Sequence, residues 1–318
     1  MIKQPNELTF TDKKFSMILY GAPGVGKTTL ALSAPNPVLI DFDKGVSRVK
    51  AYHRKLTIVC STYEEVLSDI QSPEIKDCET IIIDTGGSFV SYLQDWAMRD
   101  NPATNRQKNG AISLKGFGAV KQEFQRFTNM VRDVMNKNVI YVFHSDEQKD
   151  KDGNPQQRLL CEGAARNIVW QPCDFGGYVQ MIGNTRVVNF TPTQEFFAKG
   201  CYGIEGQITV PAVGPNDKND FLTKLFDKAK SNIAAENAAF APLQEKYDQT
   251  MTEARKIIDN ISTLEQANDA VKSLPTLKHA LTSKKESSAL LAEKAKSLGF
   301  VWSKDGSCYV VAVEKEQK

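Results

Sequence analysis

Gly21-Ala22-Pro23-Gly24-Val25-Gly26-Lys27-Thr28-Thr29 decides how this 318-residue chain is read. The stretch fits G-x-x-x-x-G-K-[ST] at every fixed position, follows an apolar run broken only by Ser16, and precedes a helix-favouring segment at 29–33. Glycines at these spacings let the backbone bend until several N–H groups point inward at phosphate oxygens. Lys27 is placed to reach the β- and γ-phosphates and the Thr28 hydroxyl to ligate Mg²⁺, so the stretch reads as a phosphate loop for ATP.

Working outward, 37–43 (Pro-Val-Leu-Ile-Asp-Phe-Asp) reads as a buried strand with two acids, Asp41 and Asp43, at its C-terminal end. In an open parallel sheet that end lies on the ligand-binding edge, beside the phosphate loop. Thr80-Ile81-Ile82-Ile83-Asp84-Thr85 is a second apolar strand ending in an acid, the Walker B pattern, whose Asp84 joins Thr28 in the metal shell. In many ATPases a glutamate follows that aspartate; here Thr85 stands there, so the base must come from elsewhere. A third such strand, 138–145, ends in His144 and Ser145.

The bulk numbers narrow the field. A quarter of the residues are charged and the net charge is +2, which excludes a globally basic nucleic-acid binder and disorder as the dominant state. No apolar run approaches membrane-spanning length and residues 1–12 lack the apolar core of a signal peptide, so a cytoplasmic protein is expected. Six cysteines are scattered without a C-x-x-C pair, which points to reduced structural thiols. At 150–154, Asp150, Asp152 and Asn154 have the wrong glycine spacing and no closing acid for calcium.

Helices are expected at 62–70, 86–99 and 117–136, the last with Phe124, Phe127, Met130, Val131 and Val134 as a core-facing stripe. Residues 101–118 read as a polar loop over the crevice, and 149–154 as a hairpin tip. Strands at 178–182, 186–190 and 201–210 suggest an antiparallel extension. After a linker at 213–217 the chain turns helical (221–228, 234–259 with a break at Pro242, 263–272, 287–298) and ends in a hairpin at 300–312. The expected fold class is therefore α/β, a P-loop NTPase core with a mostly parallel sheet, and a helical C-terminal region ending in a small helix-hairpin module. The expected domains are 1–212, 213–285 and 286–318.

The ordered set of loop, acid-ended second strand, Walker B strand and polar-ended next strand resembles the RecA-like ATPases. Their base sits just beyond the second strand in an Ile-Asp-x-acid segment, here Ile40-Asp41-Phe42-Asp43, so the resemblance carries the catalytic base to Asp43. It likewise implies that His144 and Ser145 form a sensor of the γ-phosphate. Within that superfamily, residues 14–228 look most like phage-encoded RecA-like nucleotide-binding proteins, some of which act in single-strand annealing or recombination. The resemblance implies a homo-oligomer or filament on single-stranded DNA, with a single-strand DNA-binding protein as a further partner and the host cytoplasm as the compartment. In such filaments a neighbour supplies a cation to the γ-phosphate, for which Arg186 and Lys199 are candidates in trans. DNA contacts fall to Arg106, Lys108 and Lys115, with Lys149 and Lys151 opposed by nearby acids and Phe117 or Trp170 stacking on bases. The alternative is a nucleotide-operated switch or loader that binds a protein through its C-terminal region. A small-molecule kinase ranks last, since no arginine-rich lid is evident.

Overall fold

The structure is a computed structural model that describes residues 8, 10, 12–161 and 169–312. The polar stretch at 1–12 lies mostly outside the described residues, as does 162–168. Two compact units emerge, Thr11–Asn232 on one hand and Ile233–Lys318 with Met1–Phe10 on the other.

The first unit is built on a nine-stranded sheet. Its parallel strands are β1 (Ser16–Gly21), β2 (Pro37–Asp41), β3 (Thr57–Ile58), β4 (Thr80–Asp84) and β5 (Asn138–Lys149), joined by β7 (Phe175–Ile182). The spatial order is β3-β2-β4-β5-β1-β7-β8-β9, where β8 (Thr185–Asn189) and β9 (Gln207–Val210) run antiparallel and β6 (Pro155–Leu159) pairs with β5. The expected α/β core with an antiparallel extension is thus the observed one. Strands β1, β2 and β4 are buried at every position, as their unbroken apolar runs require of parallel strands covered on both faces. Asn138 stitches the start of three of them together: its Oδ1 accepts from Phe15 N at 2.8 Å and its amide donates to Glu79 O at 3.1 Å.

Helices α1 (Lys27–Ala31), α2 (Tyr63–Asp69), α3 (Gly86–Asp100), α4 (Pro102–Asn105) and α5 (Leu114–Asn129) connect the strands. Each longer helix starts on a side-chain cap: Thr62 with Glu65 forms a capping box for α2, Thr85 accepts from Ser88 N for α3, and Ser113 from Gly116 N for α5. Phe89, Phe124, Phe127 and Tyr141 form the aromatic centre of the core between α3, α5 and the sheet.

Several sequence expectations are corrected. The segment 101–118 is not a loop: it folds as α4, a bridge between Arg106 and Ile112, and the first turn of α5. The Ser113 cap starts the helix earlier than the polar composition suggested. The stripe loses Val134, which is 80% exposed, because α5 ends at Asn129 in a π-helical turn, Met130–Val134, that rotates the register. Strand β5 does not end at Ser145 but continues to Lys149, because β6 supplies its edge with a partner and the 149–154 turn closes the hairpin. Asp150 holds that turn, accepting from Asp152 N and Asn154 N. The strand expected at 201–210 shortens to β9, since Gly203 and Gly206 take positive φ.

Helix α6 (Phe221–Asp259) is continuous through Pro242 where a break was expected, and the division between the two units falls inside it. Its first turns belong to the sheet unit, where Phe226 packs on Phe15 and Phe175. In the second unit, the later part of α6, α7 (Leu264–Ser273), α8 (Ser283–Ser297) and the β10–β11 hairpin (Phe300–Ser303, Cys308–Val311) enclose a small core of Ala254, Ile258, Ala267, Leu291 and Tyr309. No helix among the described residues is long and apolar enough to cross a membrane.

Candidate functional site

Strand order assembles the site. β5 lies between β1, which carries the phosphate loop, and β4, which carries Asp84, so three strand ends meet at one edge of the sheet. Gly24 and Gly26 have φ of 80° and 85°, the left-handed region that favours glycine, and this curls the loop over the start of α1. Gly26 caps α1 without any side-chain hydrogen bond, which leaves the first N–H groups of that helix aimed into the loop.

Gly24, Gly26, Lys27, Thr28, Thr29, Asp43, Asp84 and His144 line one cavity of about 200 Å³. The Lys27 ammonium donates to Gly21 O at 3.0 Å and Ala22 O at 2.8 Å, and stands 3.4 Å from His144 Nδ1. Burial pulls the Lys27 pKa down to about 8 against the attraction of Asp84 and Asp43, so the group still carries its proton at neutral pH. The Thr28 hydroxyl donates to Asp84 Oδ2 at 2.6 Å. Burial, with the charges of Asp41 and Asp43, raises the Asp84 carboxyl to about 6, although the Thr28 hydrogen bond and Lys27 oppose the rise. Burial and the Lys27 charge lower the His144 pKa, which favours a neutral imidazole.

The end of β2 is tied to the end of β4, since Phe42 N and Asp43 N both donate to Asp84 O. Asp41 is buried and spent on structure: its carboxylate accepts from Gly45 N at 2.8 Å and Val46 N at 2.9 Å, which folds the 43–48 turn back toward the cavity. That turn presents Asp43, paired with Arg48. Thr85, where other ATPases place a glutamate, caps α3 through its hydroxyl and also lines the cavity.

The other predicted residues disperse. Ser145 pairs with Leu159 in the hairpin and is not in the cavity lining. Arg106 and Lys108 follow α4, and Lys115 lies in the first turn of α5; none of the three is among the residues that line the cavity with Asp84. Trp170 makes edge contacts with Tyr20 and Phe197 and covers Gly176, which ties its ring to the margin of the core. Lys199 donates to Cys173 O near the start of β7, at the sheet edge opposite the phosphate loop. Arg186, expected to act on a neighbour, lies against Gly26 of its own chain.

One group in the cavity escaped sequence reasoning. Arg48 lines the cavity, and its only sequence signal was a cation five residues after Asp43. Arg186 was named, but its target could not be found without the fold. A larger cavity, about 520 Å³, is lined by Tyr52, Lys55, Glu79, Asp217, Lys218 and Asp220, but no glycine loop borders it.

The residues fit a nucleoside triphosphate with a divalent cation: a loop turned by positive-φ glycines, an ammonium, and a hydroxyl in contact with a carboxylate are the donor set that Mg²⁺ and phosphates take. A mostly parallel sheet with this loop after its central strand and an acid on a nearby strand end defines a P-loop nucleoside triphosphatase core. The chain belongs to the AAA domain family, whose profile matches residues 13–202. No curated protein shows a significant match to it.

Proposed function

We propose that the chain is an Mg²⁺-dependent ATPase of the RecA-like kind that phages encode, acting on single-stranded DNA as a homo-oligomer to promote annealing or strand exchange. The observation that carries the enzymatic part is the Thr28–Asp84 hydrogen bond of 2.6 Å with Lys27 and Asp43 facing the same cavity. Thr28 and Asp84 would hold Mg²⁺, which neutralises charge on the β- and γ-phosphate oxygens. Lys27 exchanges its two carbonyl partners for phosphate oxygens. Asp43 takes a proton from the water that attacks the γ-phosphorus, as the bond to the β–γ bridging oxygen breaks and ADP leaves. Neutral His144, in contact with Lys27, is placed to register whether the γ-phosphate is present. The DNA part rests on the ordered motif set, with the base on the second strand, that this chain shares with RecA-like proteins.

The test is ATP turnover with and without single-stranded DNA, followed by electron microscopy of the same mixtures. Lys27→Ala abolishes turnover, and Asp43→Asn lowers kcat by about 10²–10⁴-fold while nucleotide still binds. Full turnover by Lys27→Ala would overturn the enzymatic reading; a rate and an assembly state indifferent to DNA would overturn the DNA reading. One observation favours the switch or loader alternative. The unit from Ile233 onward packs its own core and exposes Val301, Trp302 and Val311 on its hairpin, a surface suited to a protein partner.

A further inference from the structure

Arg186 approaches the phosphate loop from the flank opposite the water-activating groups. β1 has β5, with His144, on one side and β7 followed by β8 on the other. Lys27, Asp43, Asp84 and His144 share the cavity on the first flank. Arg186 stands on β8, in register with Met181 of β7 and Val210 of β9, and lines a narrow cleft with Thr29 and Leu30 of α1. Its guanidinium lies so close to Gly26 that a side-chain carbon on that glycine would come within 2.5 Å of Nη2, 2.6 Å of Cζ and 3.0 Å of Nε. Glycine is therefore required at this position twice over, for its φ of 85° and for the room the guanidinium takes.

The Nε of Arg186 is shielded from solvent and has no hydrogen-bond partner among the described residues. A buried donor on a charged group is costly to leave unsatisfied, and such groups in native proteins have acceptors in some functional state. Phosphate oxygens laid along a phosphate loop are acceptors of the right charge, and a guanidinium is the side chain best shaped to meet them. Thr29 lines both the cleft of Arg186 and the cavity that holds Asp43 and Asp84, and neither acid lines the cleft.

We infer that Arg186 is a phosphate-binding residue acting in cis, which holds the non-transferred part of the phosphate chain of nucleoside di- and triphosphates. The assignment rests on the nucleotide-binding reading above and adds a ground-state contact to it. It differs from a finger in trans, which would come from a neighbouring subunit and act on the γ-phosphate in the transition state. A contact to the retained phosphates serves ADP and ATP alike and acts mainly on affinity.

The experiment measures the Kd of ADP and ATP, and kcat, for the full-length parent, Arg186→Gln and Arg186→Lys, with melting curves taken without nucleotide. Arg186→Gln should weaken both nucleotides by about ten- to one-hundred-fold, a larger effect than that on kcat at saturating ATP. Arg186→Lys, which keeps the charge but loses the fork, should fall between. At ATP concentrations well below the Kd of Arg186→Gln, where its turnover is low, mixing it with Lys27→Ala protein should restore no activity. An unchanged ADP affinity in Arg186→Gln, or activity regained on mixing, overturns the assignment. Should Arg186→Gln fail to fold, Arg186→Lys binding ADP as tightly as the parent overturns it equally. A parent that binds neither nucleotide removes the ATPase reading itself, which separates the two failures.

Discussion

At the scale of single residues, the site is a set of groups held against their solution preferences. Asp84 shows this most clearly, because burial raises its carboxyl from an ordinary 3.8 to about 6. In protein without nucleotide or cation, the folded state then holds a proton that the unfolded state releases. The penalty is absent below about pH 4, grows as pH rises through 6, and reaches up to about 3 kcal/mol above it. Asp84→Asn keeps the shape and an acceptor for Thr28 while removing the charge. It should melt higher than the parent at pH 8 and alike near pH 4, and it should lose the stabilisation that Mg²⁺ with ATP gives the parent. Differential scanning fluorimetry across pH checks this; identical melting at pH 8 would mean that the buried carboxylate carries no penalty.

At the scale of elements, the turn after β4 decides whether Asp84 faces the phosphate loop. Thr85 caps α3, and Gly86 begins the helix directly under Phe143, where a side-chain carbon would meet the ring at 2.2 Å. Gly86→Val should therefore cost about 1–3 kcal/mol in urea unfolding, and the displaced helix start should weaken ATP binding as well. A variant as stable as the parent would show that β4 and α3 can separate without cost. The same logic explains the β2 end: Asp41 organises the turn by accepting two backbone N–H bonds, and thereby sets Asp43, with its partner Arg48, on the cavity wall.

At the scale of the molecule, every residue assigned to nucleotide chemistry lies within Thr11–Asn232. The first turns of α6 belong with that unit, since Leu222 and Phe226 are buried and Asn232 donates to Tyr202 O. A fragment ending at Asn232 should therefore fold and bind ADP with the affinity of the full chain, measured by calorimetry. A fragment cut at 212, where the composition shift first suggested a boundary, should be destabilised because it loses Phe226 from beside Phe15 and Phe175. Equal stability of the two fragments would show that the start of α6 adds nothing to the sheet unit.

The phosphate loop, the two acid-ended strands and the His144 strand were legible in the sequence because each is a local pattern. Glycine spacing dictates backbone shape, and an unbroken apolar run dictates a strand buried on both faces. Local chemistry also marked Thr62 and Thr263 as helix starts, where capping boxes form. Tertiary structure alone decided which distant segments meet. Residues 101–118 turned largely helical because Ser113 caps α5 and Asn105 bonds back to Ala97. Arg186 met its own chain's Gly26 because β7 pairs beside β1 and brings β8 across the loop. Strand order is set by the packing of whole faces, and no window of neighbouring residues contains it.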